Sequence, residues 1–307
     1  MKILYIYHEY KNRRMRYGYE MQKFGHDVKF LDMKRIAFSR VVKSSDIQSY
    51  QPDLVWLLSP QYIENGSITE GALQYIKLKK IPLVVYGTFD AQSPWVSQDV
   101  LWKWFDFLFI HHLEFSKYLK IKGMNAHYMP IGFYPNQYYS IGVQKTIGLS
   151  FAGNVDARRV DYIKALEDFD IKVYGKEFRK AGISAETYGS HQEQNIIYAR
   201  SKVNLDLPFI NVYDDKFHIK NRFFEVPGSR NFLLTVRTTE ALNIFDESMV
   251  GYFDDNIPSM REAITKYLKD DKIRFWMAVN AYKEAINKHT FYHRFKKMFE
   301  IIGGKDG

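Results

Sequence analysis

In the stretch HIKNRFFEVPGSRNFLLT, residues 218–235, His218, Arg222 and Glu225 stand four and three residues apart. On a helix that spacing puts them on one stripe, with Phe217 and Phe224 on another. Arg222 can grip an anionic oxygen bidentately, Glu225 can accept from two vicinal hydroxyls, and Lys220 adds a nearby cation. Together these groups suit a phosphate joined to a ribose. The plainer alternative is an exposed helix with an i,i+3 ion pair of about 0.3 kcal/mol. A second anion site is expected in FAGNVDARRV, residues 151–160: a strand, a turn at Gly153 and Asn154, then a helix with Arg158 and Arg159 in its first turn. Free N–H groups at a helix start attract anions. The G-x-G-x-x-G pattern of dinucleotide binding follows none of the expected strands, which weighs against a dehydrogenase.

Other candidates have weaker signals. Asp90, in YGTFDAQSPW, follows an expected strand and could bind acceptor hydroxyls or act as a base; strand-end aspartates also form turns. His111 and His112 end the next strand, where sugar contact and a structural role are both open. Asp168-Phe169-Asp170 spells a D-x-D metal motif but precedes a strand, so turn residues are expected. His289 and His293 have i,i+4 ligand spacing without a HEXXH glutamate or an evident third ligand, and no metal site is expected. Trp95, Trp102 and Trp104 gather with Phe105 and Phe107; they could stack on a sugar or base, or meet a membrane interface, with core packing as the default.

The elements that must position these groups alternate. KILYIY, DVKFLD, DLVWLL, PLVVYG, DFLFIH and AHYMP read as strands separated by helical segments such as 68–78 and 113–121. That order builds a parallel sheet covered by helices on both faces. Residues 130–142, rich in Pro and Gly, read as a linker. The alternation resumes with TIGLSFAG, IKVYG, KVNLDL, FLLTV and VGYF, and helices over 258–269, 271–288 and 290–302 close the chain. The expected domains are 1–141, 142–288, and a last helix, 289–307, that crosses back to the first. Open parallel sheets bind ligands at the carboxyl ends of their strands, so the active site is expected in a cleft between two such domains.

At 307 residues, with 46% hydrophobic and 17% aromatic content, the chain can fill two cores. Zero cysteines exclude thiolate chemistry and a disulfide framework, and with no expected signal peptide or spanning segment a cytoplasmic location fits. The net charge of +9 concentrates at the start: residues 1–43 hold eleven Lys or Arg against four acids. Such a patch could hold nucleic acid, an anionic membrane surface or an acidic substrate, or be only a solvated face.

The C-terminal half resembles the group 1 glycosyltransferases of the GT-B fold, on the branch typified by spore-maturation proteins. The likeness runs from FAGN through VYG, SKVNLDL, NRFFEVPGSRNFLLT and FDESMVGYF to HTFYHRF. The N-terminal half is similar only in architecture, in GTFD and in MPIGFYP. The resemblance implies two Rossmann-like domains and a nucleotide-diphosphate-sugar donor. It implies that Glu225 holds the donor ribose, that Arg222 faces the diphosphate, and that Gly153 lets the donor approach the sheet. Tyr174 and Gly175 would lie by the base, and the loop 208–217 would enclose the sugar. Two positions depart from the pattern: Phe217 replaces a glutamate and Arg230 a glycine.

The chemistry would be displacement of a nucleoside diphosphate, with Arg222 and either Lys220 or Arg158 stabilising charge on the β-phosphate, without a metal or other cofactor. Retention of configuration is implied only by the resemblance. An anionic acceptor is expected: a lipid-linked glycan, a cell-surface polymer precursor or nucleic acid, with peripheral membrane contact. The rivals are a sugar-nucleotide epimerase or hydrolase of the same fold, and a nucleic-acid-binding protein without catalysis.

Overall fold

The computed structural model describes residues 1–8, 15–33, 41–86, 99–210 and 217–304. Asp90 and Trp95, most of the 208–217 loop, and the basic residues at 11–14 and 34–40 lie outside them. The chain divides into two compact units, 1–130 with 291–307 and 131–210 with 217–290.

The first unit is a six-stranded parallel sheet: β1 (Lys2–Tyr7), β2 (Asp27–Asp32), β3 (Leu54–Leu57), β4 (Leu83–Val85), β5 (Phe107–Ile110) and β6 (Ala126–Tyr128), in the order β2-β1-β3-β4-β5-β6. Between the strands come α1 (Met15–Gln22), α2 (Ser44–Tyr50), α3 (Gln61–Glu64), α4 (Glu70–Leu78), α5 (Asp99–Trp102) and α6 (Leu113–Ile121). A parallel strand covered on both faces needs apolar residues throughout, and β1 and β3 are buried from Ile3 to Tyr7 and from Leu54 to Leu57.

The second unit holds β7 (Ile147–Ala152), α7 (Ala157–Lys164), β8 (Lys172–Tyr174), α8 (His191–Arg200), β9 (Ser201–Asp206), a short antiparallel pair β10 (Phe209–Ile210) and β11 (Phe217–His218), α9 (Arg222–Gly228), β12 (Leu233–Val236), α10 (Thr239–Leu242), β13 (Gly251–Phe253), α11 (Ile257–Lys269) and α12 (Asp271–Lys288). Its main sheet is parallel, in the order β13-β12-β9-β7-β8. The chain steps from β7 to β8 on one side and then to β9 on the other. The strand order therefore reverses between β7 and β9, and that is where doubly wound sheets open a crevice for ligands.

Residues 131–141, within the expected linker, belong to the second unit. Ile131, Phe133 and Tyr138 are buried, and the Phe133 ring packs so closely on Gly228 that a Cβ there would overlap it. Proline and glycine shaped this segment, but its aromatics fastened it. The last helix, α13 (Phe291–Ile302), lies in the first unit, with the Phe295 ring 5.5 Å from Trp56 and 6.1 Å from Tyr86.

Candidate active site

The reversal point between β7 and β9 is bridged by one side chain. Arg222, the first residue of α9, donates from Nη1 to Asp206 Oδ1 at 2.8 Å and from Nη2 to the carbonyl of Ala152. Asp206 ends β9 and Ala152 ends β7. The other carboxylate oxygen of Asp206 accepts from Thr235 Oγ1 of β12 at 3.2 Å, so one ion pair ties three strand ends together. The Arg222 side chain is only 10% exposed and that of Asp206 4%, and the guanidinium lies 4.5 Å from the Phe151 ring. Burial pulls the Arg222 pKa down, but Asp206, with smaller help from Tyr198, Tyr188 and Glu225, outweighs it and the net shift is upward. Its Nε is buried without a hydrogen-bond partner among the described residues.

Gly153 makes this packing feasible. A Cβ at that position would sit inside 3.0 Å of Arg222 Nη2 and 3.2 Å from Phe151 Cζ. Its N–H donates to the carbonyl of Tyr174 at 2.9 Å, and a Cβ on Gly175 would in turn strike the Gly153 carbonyl. The ends of β7 and β8 thus present bare backbone beside a buried cation, the surface a phosphate can approach closely. Tyr174 is buried beside Gly175, its phenol pKa raised by burial and by Glu186.

The arginines of α7 divide their work differently from the sequence expectation. Asp156 caps the helix by accepting from the Arg159 N–H at 2.8 Å, so that donor is already taken by a carboxylate. Arg158 pairs with Asp255, donates to the Pro208 carbonyl at 3.3 Å, and lies over the Tyr162 and Phe217 rings. Arg159 is buried: Nε donates to the Leu207 carbonyl at 2.7 Å, Nη1 to the Asn154 carbonyl at 2.9 Å, and the guanidinium lies 3.6 Å from the Phe209 ring centre. Loss of hydration, reinforced by neighbouring Arg222, pushes its pKa down to about 9. Arg159 therefore clamps the Gly153–Asn154 turn to the chain that follows β9.

Glu225 lies one helical turn after Arg222 and is 5% exposed. Its Oε2 accepts from Tyr198 Oη at 3.2 Å, the end of a buried relay. Gln194 Nε2 donates to Tyr198 Oη at 2.7 Å, Tyr138 Oη donates to Gln194 Oε1 at 2.8 Å, and His191 Nδ1 lies 2.6 Å from Tyr138 Oη. Each hydroxyl has a single hydrogen, so Tyr138, which gives its own to Gln194, receives one from His191. The polarity then runs toward Glu225 and suits an ionised carboxylate. Burial, then Glu225, raises the Tyr198 pKa well above its usual value and keeps it a donor.

His218 is not on the Arg222 stripe. It lies in β11, paired with Phe209, and α9 begins four residues later, because the two-residue strand and the turn at Asn221 interrupt the helical spacing. Arg222 pairs with Asp206, not with Glu225. Lys220 is half-buried, its Nζ 5.9 Å from the Phe209 ring. His112 caps α6, its Nδ1 accepting from the Phe115 N–H at 3.1 Å, and His111 is buried beside it. Asp168 is held bidentately by Arg261 at 2.7 and 2.6 Å, and Asp170 takes a left-handed backbone (φ 47°), as turn residues do. Among the described residues no three His, Asp or Glu converge as metal ligands. Trp102 is core, its ring 5.4 Å from Phe115. Asp206 and Tyr198 escaped the sequence reading, and Arg159, expected as a first-turn cation for an anion, is instead a buried clamp on backbone carbonyls. A signal existed for Asp206 alone, a carboxylate at the carboxyl end of a parallel strand.

Comparison with known proteins agrees with this fold. Residues 158–300 match the model of a family described as glycosyl transferase-like. No curated protein sequence matches. Among solved structures, Anabaena HepE in complex with UDP-glucose aligns with TM-score 0.71 at 11% identity, covering 99% of this chain and 100% of that one. Sucrose-phosphate synthase from Thermosynechococcus elongatus aligns with TM-score 0.70 at 8% identity, covering 99% and 98%. A glycosyltransferase from Rickettsia africae aligns with TM-score 0.69 at 10% identity, covering 98% and 97%. The chain has the GT-B architecture of two parallel-sheet Rossmann-like units. Its second unit carries the glycosyl transferase-like match, which ends within α13.

Proposed function

We propose that the protein is a glycosyltransferase of the spore-maturation-protein-like branch. It draws a sugar from a UDP-sugar bound by the second unit and passes it to an anionic acceptor, with retention and without a metal. The observation that carries this reading is the buried Arg222 guanidinium beneath Gly153 at the β7–β9 reversal, one turn before a Glu225 oriented by Tyr198. The HepE structure of the same fold, solved with UDP-glucose, supports a uridine donor. Retention and metal independence rest on the family resemblance.

In this reading the diphosphate lies along the bare edge at Gly153 and Asn154, the ribose hydroxyls donate to Glu225, and the base lies by Tyr174 and Gly175. As the bond from C1 to the β-phosphate oxygen breaks, negative charge grows on that phosphate. Arg222 is already oriented by Asp206 and needs no reorganisation to stabilise it, and Lys220 and Arg158 add further positive charge. Asp90 binds the acceptor hydroxyl or takes its proton. The basic N-terminal segment supports an anionic acceptor and peripheral membrane contact from the cytoplasm. No helix among the described residues is long and apolar enough to cross a membrane.

The test is release of nucleoside diphosphate from a panel of UDP-, GDP-, dTDP- and ADP-sugars, with and without lipid-linked and polymer acceptors. Acceptor-dependent release from a UDP-sugar, cut about 10²-fold in Arg222→Ala, is expected by analogy with lost oxyanion donors. Glu225→Gln should mainly raise the donor KM, because ribose contacts change little on the way to the transition state. Donor consumption indifferent to acceptor would favour the hydrolase or epimerase reading, and wild-type turnover in Arg222→Ala would remove the assignment of that residue.

A further inference from the structure

The opposite end of the second sheet carries a separate feature. Just before β7, at the start of β9 and just before β12, the chain places Lys145, Lys202 and Asn231 around a cavity of about 440 Å³. These are the amino ends of the parallel strands. At about 3.3 Å per residue, a six-residue strand sets them roughly 20 Å from Arg222. Arg230 and, from α12, Arg274 complete the cationic lining, and Asp271 is its one carboxylate. Asp271 is engaged by Arg274 and lies 3.8 Å from Lys202. Lys145 donates to Asn231 Oδ1 at 2.7 Å, and Arg274 also donates to the Tyr267 carbonyl. Four cations around one shared carboxylate leave the cavity short of negative charge. Its volume falls within the range of small-molecule sites.

The backbone at Arg230 points the same way. α9 closes with Asn231 N–H donating to Val226 O at 3.1 Å and Arg230 N–H to Pro227 O at 2.8 Å, a Schellman motif whose left-handed position strongly favours glycine. Arg230 occupies that position at φ 58°. Gln51, Lys80 and Asp170 also take positive φ, so what distinguishes Arg230 is where this backbone sends its side chain. Here the guanidinium is carried over the rim of the cavity, 5.8 Å from the ring of Phe275. The remaining wall is apolar, with buried Phe232 and Ala278. Phe275 is 52% exposed at the mouth, and its neighbour Trp276 is 62% exposed.

We propose that this cavity is a second ligand site, distinct from the donor site, for an organic phosphate monoester with an apolar body: Arg230, Lys202, Lys145 and Arg274 take the phosphate, and Phe232, Ala278 and Phe275 take the apolar part. A dianionic headgroup matches the excess of cations better than a carboxylate does, and the ring-lined wall excludes a bare ion as the best occupant. The site does not depend on the donor assignment.

The test is isothermal titration of the full chain with octyl phosphate, kept below its micelle concentration, in saturating UDP so that the donor site is blocked. Inorganic phosphate and octanol serve as comparison arms. One octyl phosphate per chain is expected, with inorganic phosphate and octanol each at least tenfold weaker. Arg230→Gly relieves the left-handed strain, so its Tm should equal or exceed that of the wild type while octyl phosphate affinity falls at least tenfold; Lys202→Gln should weaken binding similarly. Absence of saturable octyl phosphate binding, equal affinity in a well-folded Arg230→Gly, or inorganic phosphate binding as tightly as the ester would each overturn the proposal.

Discussion

Replacing Gly153 by alanine tests the packing on which the donor site depends. The added methyl group would lie inside 3.0 Å of Arg222 Nη2, 3.4 Å from its Cζ and 3.2 Å from Phe151 Cζ. Phe151 is fully buried and cannot yield, so the guanidinium must. Moving it separates Arg222 from Asp206, whose side chain is 4% exposed and would keep only Thr235. Breaking a buried ion pair costs about 3–5 kcal/mol, and partial relaxation of the arginine brings the expectation to about 2–4 kcal/mol. At roughly 2–4 °C per kcal/mol for a unit of this size, Tm should fall about 5–15 °C. Thermal melts of four proteins isolate the cause: wild type, Gly153→Ala, Arg222→Lys and the double variant. Lysine lacks the terminal nitrogen that the methyl group meets, so in the Arg222→Lys background the alanine should cost under about 1 kcal/mol. A Gly153→Ala protein melting within a degree of wild type, or a penalty undiminished beside lysine, would refute the reasoning.

Three further outcomes follow from the same contacts. Tyr198→Phe removes the hydroxyl that orients Glu225 and leaves Gln194 without its acceptor; it should cost about 1–3 kcal/mol in a chemical-denaturation curve and raise the UDP Kd, whereas an unchanged Kd would make the relay purely structural. Arg159→Met keeps the volume near Phe209 but frees the Gly153–Asn154 turn from Leu207, so amide exchange at 153–156 should speed up and UDP binding weaken. Lys145, facing Arg274 and Asp271 from α12, Lys202 from β9, and Arg230, has its pKa lowered from 10.5 to about 8, by burial first and Arg274 second. Between those values the unfolded chain binds more protons than the folded one, so this group makes the protein gain stability as pH rises from about 8 to 10.5. Stability measured against pH should lose that component in Lys145→Met, and an identical slope would contradict it.

The regular elements were legible because their periodicity was undiluted. KILYIY is apolar on both faces, KVNLDL alternates with the period of two that a strand requires, and the residues of α11 and α12 repeat at helical spacing. What escaped was shaped by contacts distant in sequence. In α1, Gly18 lets the helix press on the Phe30 ring, a contact that no local pattern reveals. The 131–141 segment shows its prolines and glycines in the sequence but not the partners that bury Phe133 and Tyr138, so its packing onto the second unit was not legible. Arg222 and Glu225 do stand one turn apart on a helix, as their spacing predicts. The helical stripe stops short of His218, because spacings of four and three cannot distinguish a helix from a strand followed by a turn. Asp206 and Tyr198 come from other elements and became visible only once the strands were in register.

The central claim is that the β7–β9 reversal of the second unit holds the nucleotide. A crystal structure of the full chain with UDP tests it most directly. The account predicts the β-phosphate against Gly153 within reach of the Arg222 charge and both ribose hydroxyls on Glu225. UDP bound elsewhere, or a ribose out of hydrogen-bond reach of Glu225, would contradict it.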